Sequence, residues 1–214
     1  MGQGVTEAIY RSEEMKLMSR LHFGSFNCPQ EGWLNTDVTP HLWIARVPGL
    51  AWAMHRMGKM TDERLNEHKS GIFKKVNYLN VSKPWPYASN SFEAIYSSHV
   101  LEHLPLRAAK QCLSEGYRCL RDEGVIRISV PDLDALIHEY DSSRSMDWAI
   151  NFFEANERSE KNMHHFMYNF ESLESLLKSV GFSKVSRQDY RQGACPDVEK
   201  LDNRPGSLFV EAIK

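Results

Sequence analysis

The string His99-Val100-Leu101-Glu102-His103 has the H-x-x-E-H form, in which two histidines four residues apart on a helix share a metal ion while the glutamate handles water. This makes a zinc hydrolase one option. A five-residue pattern arises readily by chance, however, no downstream glutamate helix offers a third ligand, and the string begins straight after an expected strand. A second pair of residues points elsewhere. Gly24 permits close approach of a ligand to the backbone at one strand end, and Asp37 at the next is placed to accept hydrogen bonds from a ribose diol. A nucleoside-containing cofactor fits both, although a lone glycine can simply make a turn and a lone aspartate can cap a helix.

The elements that must position these residues follow from the pattern of the chain. A leading helix is expected over Val5–Ser19, then an extended segment Arg20–Phe23, a loop from Gly24 to Gly32 and a strand from Trp33 to Asp37. Pro40 to Phe73 is helical in pattern, with apolar Trp43, Ile44, Val47, Leu50, Met54 and Met57, and forms a sizeable insertion. Strands follow at Lys75–Asn80 and Phe92–Ser97, then a helix from Leu106 to Leu120, a turn at Arg121–Gly124 and the apolar run Val125–Val130. A helix starts after Pro131 and runs to about Tyr140, Ser142 to Asn169 is polar and aromatic, and a last helix spans Ser172–Val180. Lys184–Tyr190 and Ser207–Ile213 close the chain as strands. This alternation of strands and helical crossovers argues for an α/β fold with a mostly parallel sheet covered on both faces and an antiparallel strand at one edge. Such sheets bind ligands beyond the carboxyl ends of their strands, so chemistry is expected just after Phe23, Trp33–Thr36, Leu79 and Tyr96.

Composition narrows the function classes. With 214 residues, 42% hydrophobic and 25% charged, the chain can bury a large core without disulfides or a structural metal, and it is expected to form a single domain. The formal charge of -2, with no long run of one sign, gives no footprint for nucleic acid. Cys28, Cys112, Cys119 and Cys195 form no C-x-x-C pair and no signal-peptide pattern precedes them, so they are expected to be reduced thiols in the cytoplasm. The most apolar stretch, Leu42 to Met57, is broken by Arg46, Pro48, Gly49, His55 and Arg56. It falls short of the roughly 20 apolar residues a spanning helix needs, though it could touch a membrane surface.

Several segments, taken in order, carry a family resemblance. They are Leu21-His22-Phe23-Gly24-Ser25, Gly32-Trp33-Leu34-Asn35-Thr36-Asp37, Pro84-Trp85-Pro86-Tyr87, Asn90 to Leu104, Gly124 to Asp132 and Ser207-Leu208-Phe209-Val210-Glu211-Ala212. The set resembles the S-adenosylmethionine-dependent methyltransferases of the Rossmann-like class, especially the small bacterial type-11-like group found with glycan and secondary-metabolite genes. The resemblance implies a doubly wound, seven-stranded, mostly parallel Rossmann-like sheet with an antiparallel edge strand and residues 40–73 as a helical insertion after the second strand. It also implies that Gly24, Ser25 and Phe26 run along the methionine part of the cofactor, that Asp37 binds the ribose, and that Asn80 and Val81 lie beside the adenine. Ser97, Ser98 and His99 would face the sulfonium. Two positions depart from the family pattern: Phe26 stands where a second glycine is usual, and Asn80 where an aspartate is common.

Within that resemblance His99 is the candidate general base, because an imidazole titrates near neutral pH and can take a proton from a substrate hydroxyl; the alternative is a histidine that only shapes the pocket. His103 and Glu102 are expected to be structural. His164, His165 and Tyr168, in the segment Asn162–Tyr168 between the fifth and sixth strands, are candidates for contact with the acceptor, the alternative being inward packing of Phe166 and Met167 with one solvated histidine. The insertion, with Trp43, Trp52, Met54 and Met57, would act as a lid or as the interface of a homodimer, unless those side chains pack into the core. The expected reaction is methyl transfer to a hydroxyl oxygen of a sugar, a glycan or a small metabolite, with no metal required. A methyltransferase-like protein that binds or assembles without catalysis is the alternative, motivated by Phe26.

Overall fold

The computed structural model describes residues 18–153 and 163–214. The expected leading helix up to residue 17, and Asn162, lie outside the described residues. The chain divides into two compact units, one ending at Asn80 and one spanning Val81–Lys214.

The first unit holds three parallel strands in the order β3-β2-β1: β1 (Arg20–Phe23), β2 (Leu34–Asp37) and β3 (Asn77–Tyr78). Leu21, Phe23, Trp33 and Leu34 are almost wholly buried, each such side chain contributing about 1.5–3 kcal/mol through the water it sheds. Helices α1 (His41–Ile44), α2 (Leu50–Arg56) and α3 (Asp62–Ser70) and a 3-10 turn (Ile72–Lys75) fill the interval between β2 and β3, as the helical pattern of 40–73 implies. Thr61 starts α3 by accepting the Arg64 N–H with its side chain. The strand expected over Lys75–Asn80 shrinks to two residues, because the 3-10 turn takes its first residue and only Thr36↔Asn77 and Asp37↔Tyr78 pair.

The second unit holds β4 (Phe92–Ser98), β5 (Leu120–Pro131), β6 (Lys184–Gln188) and β7 (Ser207–Ile213), in the order β4-β5-β7-β6. β4 and β5 are parallel, while β7 runs antiparallel to both β5 and the edge strand β6. The chain therefore has the seven-stranded, mostly parallel α/β architecture expected for it. Helix α4 (Leu106–Cys119) turns Ala109, Cys112, Leu113 and Cys119 inward, the spacing of one helical face. The turn expected at Arg121–Gly124 is absorbed into β5 as an irregular, exposed stretch where the register with β4 shifts.

Helices α5 (Leu133–Ser143), α6 (Met146–Phe153), α7 (Phe170–Ser179) and α8 (Val198–Leu201) complete the described structure. The α6 helix lies within the segment that had shown no helical pattern. Its Trp148 meets Tyr140 at a tilt and stacks on Phe152, with ring centroids 4.6 and 4.8 Å away, and donates its indole N–H to the Leu136 carbonyl at 2.8 Å. The reciprocal capping box of Asn169 and Ser172 moves the start of α7 back to Phe170.

One charge breaks the apolar run of β5. Arg127 is wholly buried and is met by Asp202 at 2.5 Å and by Glu211 of β7, its register partner, at 2.9 Å. The Tyr96 hydroxyl donates to Asp202 at 3.2 Å and to the Leu201 carbonyl at 3.0 Å. This network fastens the loop between β6 and β7 to the sheet. Gly193 in that loop has φ 145°, and a Cβ there would sit 2.2 Å from a Glu211 oxygen, so only glycine fits. All four cysteines are thiols. Among the described residues no helix is long and apolar enough to cross a membrane.

Candidate active site

In the first unit the candidate residues begin where β1 ends. Gly24, with φ 72°, turns the chain back, and Ser25 follows it inward, its N–H donating to the Thr36 carbonyl at 3.1 Å. Phe26 also takes a left-handed conformation, with φ 41°. Its N–H donates to Asp37 Oδ2 at 3.1 Å, and the Thr39 N–H donates to Asp37 Oδ1 at 2.7 Å. One carboxylate oxygen thus holds the loop after β1 and the other the turn after β2. Burial pushes the Asp37 carboxyl above the ordinary aspartate pKa, against the opposing pull of the N–H groups of Thr39, Phe26 and Val38.

The Phe26 ring lies 5.9 Å from the Phe73 ring and 6.2 Å from that of His41, with the Arg64 guanidinium 4.6 Å from its centroid. The helical insertion therefore supplies the surroundings of this side chain. Within the same cluster His41 Nδ1 and His68 Nε2 are 2.9 Å apart, and burial lowers both imidazole pKa values. The Leu79 N–H donates to the Asp37 carbonyl at 3.1 Å, which brings Asn80 to the same strand ends. Val81 opens the second unit as a buried residue, its carbonyl accepting from the Trp85 indole at 3.4 Å.

In the second unit the candidate residues lie at the carboxyl end of β4. Ser97 is buried, and its hydroxyl has no hydrogen-bond partner among the described residues; Ser98 ends the strand and is half-buried. His99 follows at φ 55°, its N–H donating to the Ser129 carbonyl at 2.8 Å. Its Nε2 lies 2.9 Å from the Ser207 hydroxyl and its Nδ1 lies 3.1 Å from Glu102 Oε1. The H-x-x-E-H string does not form an α-helix: only Leu101–His103 is helical, as a 3-10 turn. His99 and His103 therefore do not share a helix face as the zinc-hydrolase option requires. His103 faces His164 instead, with ring centroids 5.0 Å apart.

The second histidine cluster is tied to the same string through the backbone. The N–H groups of His165 and Phe166 donate to the Glu102 carbonyl at 2.7 and 3.2 Å. His164 Nδ1 lies 2.7 Å from the Phe152 carbonyl, and the His165 side chain is exposed. Tyr168 is 1% exposed and packs on Phe166. Burial, with the Glu102 carboxylate next in effect, raises its hydroxyl pKa. Its side chain lies in the core. Two functional candidates escaped the sequence argument. Glu102, expected to be structural, stands beside the His99 ring, and its spacing within the string was the available signal. Ser207 reaches His99 from 108 residues away, and no local pattern marked it.

A family model described as a methyltransferase domain matches residues 33–187, and the chain belongs to that family. Among curated proteins no match is found. The fold is similar to that of a SAM-dependent methyltransferase from Archaeoglobus fulgidus, at 17% identity and a TM-score of 0.51, covering 100% of this chain and 95% of that one. It is also similar to a SAM-dependent methyltransferase from Thermotoga maritima described as a possible histamine N-methyltransferase, at 13% identity and a TM-score of 0.51 over 98% of this chain and 96% of that one. A citrinin polyketide synthase CMeT domain matches at 15% identity and a TM-score of 0.51; 91% of this chain is covered, but the chain spans only 45% of that structure.

Proposed function

We propose that this chain transfers a methyl group from S-adenosylmethionine to a hydroxyl oxygen of a sugar, a glycan or a small metabolite. The observation that supports it most is His99 at the end of β4, with a hydroxyl 2.9 Å from Nε2 and a carboxylate oxygen 3.1 Å from Nδ1. The Glu102 carboxylate, within ion-pair distance of Nδ1, would steady the positive charge the ring gains when Nε2 takes the acceptor's proton. Ser207 shows that Nε2 can meet a hydroxyl, and an acceptor hydroxyl takes that place.

The first unit suits the cofactor. Gly24 and Phe26 keep the backbone of a glycine turn, and Phe26 does so with its ring drawn toward Phe73, His41 and Arg64. Gly24, Ser25 and Phe26 would lie along the methionine part, Asp37 would bind the ribose hydroxyls, and Asn80 and Val81 would flank the adenine. Ser97 and Ser98 would serve the sulfonium region, and His164 and His165 the acceptor. S-adenosylmethionine, when bound, supplies a methyl group already activated on its sulfonium; the protein's part is to align the acceptor and take its proton.

The same reading puts the protein in the cytoplasm, supported by its four thiols, and pairs two copies through the insertion, where Trp43, Val47, Trp52 and Met57 are more than half exposed. A non-catalytic binding protein is the second reading, favoured by the packing role Phe26 has taken on. Calorimetric titration with S-adenosylmethionine and S-adenosylhomocysteine separates the two at the first step. Binding with methyl transfer to hydroxylated acceptors, lost in His99→Ala, is the expected result. Unchanged turnover of His99→Ala at saturating substrate removes His99 as the base, and absence of cofactor binding hands the site to the second reading.

A further inference from the structure

Glu102 is wholly buried, yet neither of its carboxylate oxygens has a hydrogen-bond donor among the described residues. Within ion-pair distance of it is His99, whose Nδ1 lies 3.1 Å from Oε1 and which is a counter-charge only when protonated. A carboxylate taken out of water with so little compensation is costly, and such groups are normally paired, hydrogen-bonded or bound to a cation. The next residue repeats the feature, because His103 Nδ1 is also buried without a hydrogen-bond partner. One ligand atom from each of Glu102, His103 and His164 can be chosen so that all three lie within 4.8 Å of one another.

We propose that Glu102, His103 and His164 bind a divalent transition-metal ion of the zinc type. Two imidazole nitrogens and one carboxylate oxygen form a donor set that suits zinc or cobalt, whereas magnesium and calcium prefer oxygen alone. Tetrahedral bonds of about 2.0–2.2 Å put ligand atoms roughly 3.3–3.6 Å apart, so closure around an ion is a local contraction of the cluster. His164 is prepared for the role. Its Nδ1 donates to the Phe152 carbonyl at 2.7 Å, which places the lone pair on Nε2, and an outer carbonyl on the far ring nitrogen is the usual support of a ligating histidine. The backbone holds the parts in register, since the His165 and Phe166 N–H groups both bond the Glu102 carbonyl. The site takes Glu102 and His103 from the H-x-x-E-H string but replaces the string's first histidine with one from a different segment. Three protein ligands leave a coordination position open for water or another oxygen donor. The inference does not depend on the methyl-transfer reading.

The test uses the full chain, stripped with a chelator and then titrated with Zn²⁺ or Co²⁺, with Mg²⁺ as the comparison. One Zn²⁺ or Co²⁺ retained per chain after gel filtration is expected, with Co²⁺ giving visible ligand-field bands and no near-ultraviolet thiolate charge-transfer band. Zn²⁺ is expected to raise the Tm of the wild type, and Mg²⁺ to leave it unchanged. In His164→Ala affinity should fall by at least the roughly 100-fold that loss of an outer partner can cost, while the melt of the stripped variant stays close to that of the stripped wild type. His103→Ala carries the same test if His164→Ala does not fold, and the wild-type stoichiometry and cobalt spectrum decide if neither does. Failure to retain stoichiometric Zn²⁺ or Co²⁺, a thiolate band, or wild-type affinity in a folded His164→Ala or His103→Ala overturns the proposal.

Discussion

Asp37→Asn separates what the fold asks of this side chain from what a cofactor would ask. In the fold the carboxylate accepts the Thr39 N–H at 2.7 Å and the Phe26 N–H at 3.1 Å. Asparagine keeps one acceptor oxygen and sets an amide NH₂ against the other donor, so one hydrogen bond to a charged acceptor is lost, about 1.5–3 kcal/mol. Working the other way, the substitution removes a carboxylate whose ionised form burial disfavours. The balance is a destabilisation of about 1–2 kcal/mol, or a Tm lowered by roughly 2–8 °C in a chain of this size. For a ribose diol the change is larger, because the ligand loses a charged acceptor with no compensating relief. A loss of about 1.5–3 kcal/mol weakens Kd roughly 10- to 150-fold. Calorimetry with S-adenosylhomocysteine, run beside a thermal melt of the same samples, reads both effects. A lowered Tm with unchanged Kd would mean that Asp37 only holds the Gly24–Phe26 loop, and the ribose assignment would fall.

Arg127→Met leaves Asp202 and Glu211 facing each other in the sheet without their shared cation. It should destabilise the protein by about 3–5 kcal/mol, the cost of uncompensated buried charge; urea unfolding measures this, and a variant as stable as the wild type would refute it. His22 is 4% exposed, and burial lowers its pKa from 6.5 to about 4. The unfolded chain therefore takes up a proton that the native protein refuses, so stability is intact above about pH 6.5 and falls as pH drops toward 4, by up to about 3 kcal/mol. Chemical unfolding at several pH values, with NMR titration of the imidazole, checks this, and native protonation near pH 6.5 would contradict it.

Legibility in the sequence tracked the range of the interactions involved. β4 and β7 were readable because strand-like segments bounded by turn residues carry their own signal, β1 because Gly24 ends an extended segment, and β7 lies where Ser207–Ile213 was expected. α6 was not readable, because it is short and its Trp148 meets partners on the preceding helix, the Tyr140 ring and the Leu136 carbonyl, that no local repeat announces. β3 was overestimated, because alternation over Lys75–Asn80 says nothing of how many residues find a partner on β2. Of the candidate residues, Gly24 and Asp37 are proposed from their types at strand ends and His99 from the family resemblance. The Ser207 partner of His99 and the His164 neighbour of His103 were not legible, since each arrives from a distant segment that only the folded backbone brings near.

Backbone strain supplies an independent argument about where function lies. Phe26 and His99 are both non-glycine residues in the left-handed region, at φ 41° and 55°. That conformation costs roughly 1–2 kcal/mol for an L-residue. Asn90 and Glu123 adopt it in exposed positions, where a turn is reason enough. Asp197 adopts it half-buried at the start of α8, whereas Phe26 and His99 are half-buried just beyond the carboxyl end of a parallel strand, β1 or β4. Each is also held by its own N–H, Phe26 to Asp37 Oδ2 and His99 to the Ser129 carbonyl. Strain kept at strand ends by specific bonds is the pattern of a site whose geometry matters more than its local stability. In both cases the strained residue adjoins a proposed functional group: the Phe26 N–H meets the Asp37 carboxylate, and the His99 imidazole lies between Glu102 and Ser207.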